Sequence, residues 1–121
     1  AEAVRQDRIA SARAAAKDYQ SIFVLKSECT LVAYPDGDVF LTTKGNAGMA
    51  TAGSGDVLAG TIAGLVGQMQ GALAPLLGVY LHGSAGDLAY AAKDCGLIAS
   101  DLVDKLPEAR ALLANEYEMP V

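Results

Sequence analysis

Apolar and polar residues follow different periods along the chain, and the changes of period mark its elements. Val4, Arg8, Ala12, Ala15 and Ala16 recur at helical spacing and predict a helix over residues 2–18 that Gln20-Ser21 ends. Ser21 to Lys26 then holds the continuous apolar run Ile22-Phe23-Val24-Leu25, the pattern expected of a short strand buried on both faces. Thr30 to Tyr34 and Val39 to Thr42 read as two further strands joined through Pro35-Asp36-Gly37-Asp38. Proline presets φ and glycine accepts a positive φ, so this tetrapeptide predicts a hairpin turn. From Ser54 to about Gln70 the pattern is helical, with Gly60 and Gly64 one turn apart, where small residues would allow another backbone to approach. A second long helix is expected from Pro75, well placed in a first turn, to Lys93, ending at Cys95-Gly96. Leu97, Ile98, Leu102, Val103 and Leu106 predict a third helix around Ser100-Asp101 that stops before Pro107, with a loosely ordered tail from Glu108. The order is that of an α/β chain with its hairpin first and its helices after, without internal repeats or low-complexity tracts.

Composition narrows the partners. The 121 residues carry a net charge of −5 and no basic stripe, which argues against nucleic acid. The uncharged run from Val57 to Gly86 is cut by Gly67-Gln68-Met69-Gln70-Gly71 and by Pro75 into pieces too short to span a bilayer, so buried helices and no membrane partner are expected. This composition fits a soluble cytoplasmic chain; the first residues are charged and show no apolar signal-peptide core, but the start of a fragment does not report on targeting. Cys29 and Cys95 form no Cys-x-x-Cys pair and make no metal-ligand cluster with the single His82; two buried or half-buried free thiols are the expectation.

The chemistry concentrates in Gly45-Asn46-Ala47-Gly48-Met49-Ala50-Thr51-Ala52-Gly53-Ser54-Gly55-Asp56, where a glycine-rich loop turns into a helix. Glycines let backbone N–H groups close on a ligand, and the first amides of a helix lack internal partners and can face an anion. Asp56 falls in the first helical turn, beside whatever those amides hold, as a carboxylate able to take a proton. An aspartate that merely caps the helix would leave the same pattern, and the residues alone leave both readings open. Two named phosphate motifs are excluded by spacing. A P-loop requires lysine where Asp56 follows Gly55, and a dinucleotide fingerprint begun at Gly53 meets Leu58 at its third glycine.

The segment 45–60, Gly-Asn-Ala-Gly-Met-Ala-Thr-Ala-Gly-Ser-Gly-Asp-Val-Leu-Ala-Gly, closely resembles the signature of the ADP/ATP-dependent NAD(P)H-hydrate dehydratases, of the ribokinase-like superfamily. Val24-Leu25-Lys26 with Thr30 resembles the family's strand-borne Lys-x-x-x-Thr segment, and Pro35-Asp36-Gly37 its hairpin turn. Leu77-Gly78-Val79-Tyr80-Leu81-His82-Gly83, Ala85-Gly86-Asp87 and Cys95-Gly96-Leu97-Ile98-Ala99-Ser100-Asp101 are also similar to family segments, so the likeness runs over residues 5–107. It is a likeness to the C-terminal part of a catalytic domain about twice this length. The chain also lacks an initiating Met and opens within a helical pattern, so residues 1–121 are expected to be the C-terminal portion of a single three-layer ribokinase-like domain.

The resemblance implies a nucleotide-dependent repair of hydrated NADH or NADPH, in which the ring hydroxyl is phosphorylated and phosphate is eliminated. It casts Asp56 as the base that also contacts substrate, Gly53, Ser54 and Gly55 as an anion hole, and Lys26, Ser27, Glu28, Cys29, Thr30 and Gly55 as nucleotide contacts. It further implies ADP or ATP as phosphoryl donor, with ADP favoured, and Mg2+ whose ligands lie outside this chain. A homo-oligomer is expected, and the piece alone is expected to be inactive. The sequence departs from the family where Ser27 and Glu28 follow Lys26 in place of the usual glycine, and Glu28 would repel phosphate if it pointed inward. A lysine that snorkels from a strand end remains open for Lys26. His82, inside an apolar run, is no candidate base, whereas Asp87 and Asp101 suit capping or helix-to-loop bonds, and Asn46 and Thr51 suit shaping of the loop. The alternatives are a ribokinase-like kinase of a sugar or vitamin alcohol, against which the Gly-Met-Ala-Thr-Ala extension argues, and a non-catalytic nucleotide-binding domain.

Overall fold

A computed structural model describes residues 2–117 of the chain, which divides into two compact units, Ala1–Thr42 and Thr43–Val121. The first unit is a helix on a small sheet. Helix α1 (Glu2–Tyr19) buries Ala12 and Ala16, and Ile9 joins them against Phe23, Leu31, Ala33 and Val39. Small side chains on this stripe let the helix lie close to the sheet. Strands β1 (Phe23–Leu25), β2 (Leu31–Ala33) and β3 (Val39–Leu41) form an antiparallel sheet in that order, with Phe23 opposite Ala33 and Ala33 opposite Val39.

The strand buried on both faces is β2, since Leu31, Val32 and Ala33 are all buried. The expectation had placed that burial on Ile22–Leu25. Yet β1 is an edge strand whose Leu25 is exposed, because the antiparallel meander puts β2 in the centre. The hairpin forms as predicted. Gly37 adopts φ +102, its N–H donates to the Tyr34 carbonyl at 3.0 Å, and Asp36 Oδ1 accepts from the Asp38 N–H at 2.9 Å. Arg13 of α1 donates to the Gly37 carbonyl at 2.9 Å and so ties the turn to the helix.

The second unit is helical. A loop containing a single 3-10 turn (Ala47–Met49) leads into α2 (Ser54–Val66), followed by α3 (Ala74–Lys93), a second 3-10 turn (Asp94–Gly96) and α4 (Ala99–Tyr117). Leu81, Ala85 and Ala109 form one core with Leu65, Leu77, Leu88, Leu106 and Leu113; Ala89, Leu97 and Leu102 form another with Met49 and Val57.

Further expectations are corrected here. Helix α2 ends at Val66, four residues short of Gln70, because Gly67 closes it and Gln68 and Met69 both turn back to the Leu65 carbonyl. Close helix approach falls at Gly78, where a Cβ would stand 2.5 Å from the Ile62 side chain, whereas a Cβ at Gly60 or Gly64 would meet nothing within 4 Å. The third helix does not stop at Pro107 but runs through it to Tyr117, held by Leu106, Ala109 and Leu113 in the core. Tertiary packing there outweighs the missing N–H of proline, and the ordered stretch replaces the loose tail expected from Glu108; residues 118–121 lie outside the described residues. Cys29 is half-buried as expected, but Cys95 is exposed, lying in the 3-10 turn rather than in the core.

Candidate functional site

The junction of loop and helix is built by backbone geometry. Gly53 precedes α2 in the left-handed region at φ +89, a conformation that disfavours any side chain, and a Cβ there would also press on Ala99 at 3.1 Å. The Ser54 N–H closes a turn on the Thr51 carbonyl at 3.2 Å, so this amide of the expected anion hole is engaged inside the loop. The Gly55 and Asp56 amides, second and third in α2, have no protein partner among the described residues, as the geometry of a helix start requires. Asp56 itself is exposed and makes no hydrogen bond or ion pair among the described residues. No capping hydrogen bond holds it among the described residues, and it lies in the first turn of α2, at the positive end of the helix where the Gly55 and Asp56 amides are open.

The loop ahead of this junction is anchored along α3. The Asp87 carboxylate accepts from the Gly45 N–H at 3.2 Å and from Asn46 Nδ2 at 2.9 Å. Gly45 takes φ +117, and Gly83 lets the Lys44 backbone lie against α3, where a Cβ would be 2.7 Å from the Lys44 carbonyl oxygen. Met49 rests on Gly86 in the same way, its sulfur filling the space that a Cβ would need. At the far end of the loop His82 Nε2 lies 3.0 Å from the Ser54 carbonyl and 3.3 Å from Ser54 Oγ. A carbonyl can only accept, so Nε2 carries the proton in this contact. The expected helix-to-loop role of Asp87 and the loop-shaping role of Asn46 are both present. His82 meets the loop through Ser54, a contact its apolar surroundings in the sequence gave no means of placing.

The segment Lys26 to Thr30, in the first unit, is a polar turn. Ser27 Oγ receives the Arg8 guanidinium and the Cys29 N–H and donates to the Cys29 carbonyl at 2.9 Å. Thr30 Oγ1 donates to the Ser27 carbonyl at 3.4 Å and the Cys29 thiol to the Thr42 carbonyl at 3.2 Å. Three of the five side chains are thus engaged in local structure. Lys26 and Glu28 are exposed, with no partner among the described residues. An exposed Lys26 is accessible to an incoming anion, as a lysine snorkelling from a strand end would also be.

Asp101 proves to be a cap. Its Oδ2 accepts from the Ile98 N–H at 2.8 Å, the reach-back of a third helical residue to the position before the helix, and Oδ1 pairs with Lys93 at 2.9 Å. The Ile98 amide first, and Lys93 with it, hold this carboxyl below the usual carboxylate range. No group of three His, Cys, Asp or Glu side chains among the described residues is placed to hold a metal ion. No helix among the described residues is long and apolar enough to cross a membrane.

The family profile described as NAD(P)H-hydrate dehydratase matches residues 1–108. The chain belongs to the NAD(P)H-hydrate dehydratase family. It is 46% identical over 119 residues to a bifunctional NAD(P)H-hydrate repair enzyme of Moorella thermoacetica, a match covering 95% of this chain and 22% of that protein. It is 39% identical over 113 residues to the ADP-dependent (S)-NAD(P)H-hydrate dehydratase of Neisseria meningitidis, covering 93% of this chain and 38% of that one. In three dimensions it superposes with a TM-score of 0.82 and 34% identity on the ADP/ATP-dependent NAD(P)H-hydrate dehydratase of Bacillus subtilis co-crystallised with ATP/Mg2+, over 89% of this chain and 40% of that one. A ribokinase-like superfamily protein of Enterococcus faecalis matches with a TM-score of 0.70 and 37% identity, over 79% of this chain and 34% of that one. The family-like α/β architecture anticipated from the 45–60 segment is therefore the one adopted. The chain spans between about a fifth and two fifths of the length of the relatives it matches.

Proposed function

We propose that residues 1–121 are the C-terminal part of a single ribokinase-like domain, and that the complete protein restores hydrated NADH or NADPH with ADP or ATP as phosphoryl donor. The observation that carries this is the loop-to-helix junction at 45–56, where a family signature leaves Asp56 without a partner among the described residues, in the helical turn whose Gly55 and Asp56 amides are open. In this reading Asp56 takes the proton of the ring hydroxyl, whose oxygen forms a bond to the terminal phosphorus of the nucleotide as the bridging P–O bond breaks. The N–H groups around Gly53, Ser54 and Gly55 stabilise the charge on the transferring group, with Ser54 acting through the fold of the loop because its N–H is engaged by Thr51. The phosphate ester then leaves as inorganic phosphate while a neighbouring ring carbon loses a proton, which closes the double bond of the dihydronicotinamide. The exposed Lys26 and the 26–30 backbone contact the nucleotide.

The test incubates the complete protein with hydrated NADH and ADP or ATP and follows the absorbance of the reduced ring. Recovery is expected with the complete protein and not with residues 1–121 alone, whose open strand edges favour homo-association. Asp56→Asn should fold and bind nucleotide while turnover falls about 100-fold or more, as expected on losing a general base. Accumulation of a stable phosphorylated product in place of recovery would assign the site to an alcohol kinase. Undiminished turnover by a folded Asp56→Asn protein would remove Asp56 from the base role.

A further inference from the structure

We propose that His82 and Asp87 are positioning residues, two posts on one helix that hold the opposite ends of the glycine loop in register with the first turn of α2. The proposal rests on the reading of that loop as the phosphoryl site. Asp87 grips the entrance, through the Gly45 N–H at 3.2 Å and Asn46 Nδ2 at 2.9 Å. His82 grips the exit, through the Ser54 carbonyl at 3.0 Å. Residues 82 and 87 are five apart, so about 7.5 Å of helix separates the two anchors of the loop, whose middle is packed through Met49. Between the posts, Gly83 and Gly86 lack the side chains that would push Lys44 and Met49 away, so the loop lies directly on the helix.

Each post acts at a distance from the chemistry. Asp87 fixes where the chain leaves Lys44, and with Gly45 at φ +117 the direction of departure is set by that one carboxylate and the glycine together. His82 fixes Ser54, and Gly55 and Asp56 follow it directly in the first turn of α2. Displacement of Ser54 therefore carries the Gly55 N–H and the Asp56 carboxylate with it. Geometry of this kind is exacting, because a misplacement of about 1 Å at a reacting centre lowers a rate by roughly 100-fold.

The experiment uses the complete protein and four variants: Asp87→Leu and His82→Leu, which remove each post, His82→Gln, which keeps an N–H donor near the Nε2 position, and the exchange Asn46→Asp with Asp87→Asn. In the exchanged pair the amide introduced at position 87 accepts from the Gly45 N–H through its oxygen and donates through its nitrogen to the carboxylate introduced at position 46. Dehydratase kcat and nucleotide KM are measured well below each variant's thermal midpoint, alongside hydrogen–deuterium exchange of the amides in 45–56. Both leucine variants should lose about 10- to 100-fold in kcat with KM changed less than about threefold, and the 45–56 amides should exchange faster. His82→Gln and the exchanged pair should recover most of the lost kcat. Should Asp87→Leu fail to fold, Asp87→Asn, which can accept from the Gly45 N–H but sets its amide group against that of Asn46, should show a smaller loss of the same kind, restored in the exchanged pair. Folded leucine variants with wild-type kcat and wild-type exchange would overturn the proposal, as would a fall in kcat that only tracks the folded fraction. If the wild-type protein shows no turnover, the dehydratase reading fails on its own. Exchange in 45–56 then still decides between anchored and unanchored loop ends.

Discussion

Gly83→Ala should destabilise the protein by about 2 kcal/mol, even though alanine is the better helix former. The added Cβ would lie 2.7 Å from Lys44 Cβ, 2.7 Å from the Lys44 carbonyl oxygen and 2.8 Å from its carbonyl carbon, whereas ordinary contact begins at 3.4 Å. Lys44 must retreat by roughly 0.7 Å, and two of the three atoms are backbone that no rotamer change can move. Retreat is resisted because the next residue, Gly45, is held by Asp87 on the same helix. Overpacking of this kind costs about 1–3 kcal/mol, and fixed backbone puts this case at the upper end. Helix propensity returns about 1 kcal/mol on replacing glycine by alanine, which leaves the net figure of about 2. Gly60→Ala is the control. Its Cβ meets nothing within 4 Å, so only the propensity acts and a gain of about 0.5–1 kcal/mol is expected. Urea unfolding of the complete protein, followed by circular dichroism, reads both as shifts in midpoint at constant slope. A Gly83→Ala protein as stable as wild type would refute the packing argument.

Other outcomes are expected elsewhere in the chain. Pro107→Ala should stabilise by about 2 kcal/mol in the same unfolding assay, since it restores an N–H inside α4 worth about 3 kcal/mol against a smaller gain in unfolded-chain entropy of about 1. Asp101, depressed below the usual carboxylate range by the Ile98 amide and Lys93, stabilises the fold above the ordinary carboxylate pKa and loses that contribution as pH falls through its own lower value. Asp101→Asn should thus be less stable at neutral pH and converge on wild type in acid, which thermal melts across pH will register. Glu28→Gly should tighten ADP binding by the complete protein, more at low salt than at high, because Glu28 is exposed beside Lys26; a dissociation constant that does not respond to salt would place Glu28 away from phosphate.

Local signals in the sequence were sufficient wherever a few neighbouring residues decide the backbone. Pro35-Asp36-Gly37 formed the hairpin because φ preferences act within the turn itself, and Ser54 opens α2 because Gly53 supplies the positive φ ahead of it. The helical stripe of Ala12 and Ala16 and the proline near the start of α3 are equally short-range, and the expected helices 2–18 and 75–93 differ from Glu2–Tyr19 and Ala74–Lys93 by one residue at the ends that differ. The resemblance carried by 45–60 is also local, and it named the family before any coordinate did. What the tertiary structure alone decided are pairings between distant residues. Which glycines separate helices could not be read from spacing, because Gly60 and Gly64 share the small-residue pattern but face open space, while Gly78 meets Ile62. Pro107 reads as a stop, yet packing of Leu106, Ala109 and Leu113 against α3 outweighs one missing hydrogen bond. Asp87 reaches Gly45 across 42 positions and His82 reaches Ser54 across 28, and no periodicity encodes a contact whose length depends on how two helices and a loop are packed.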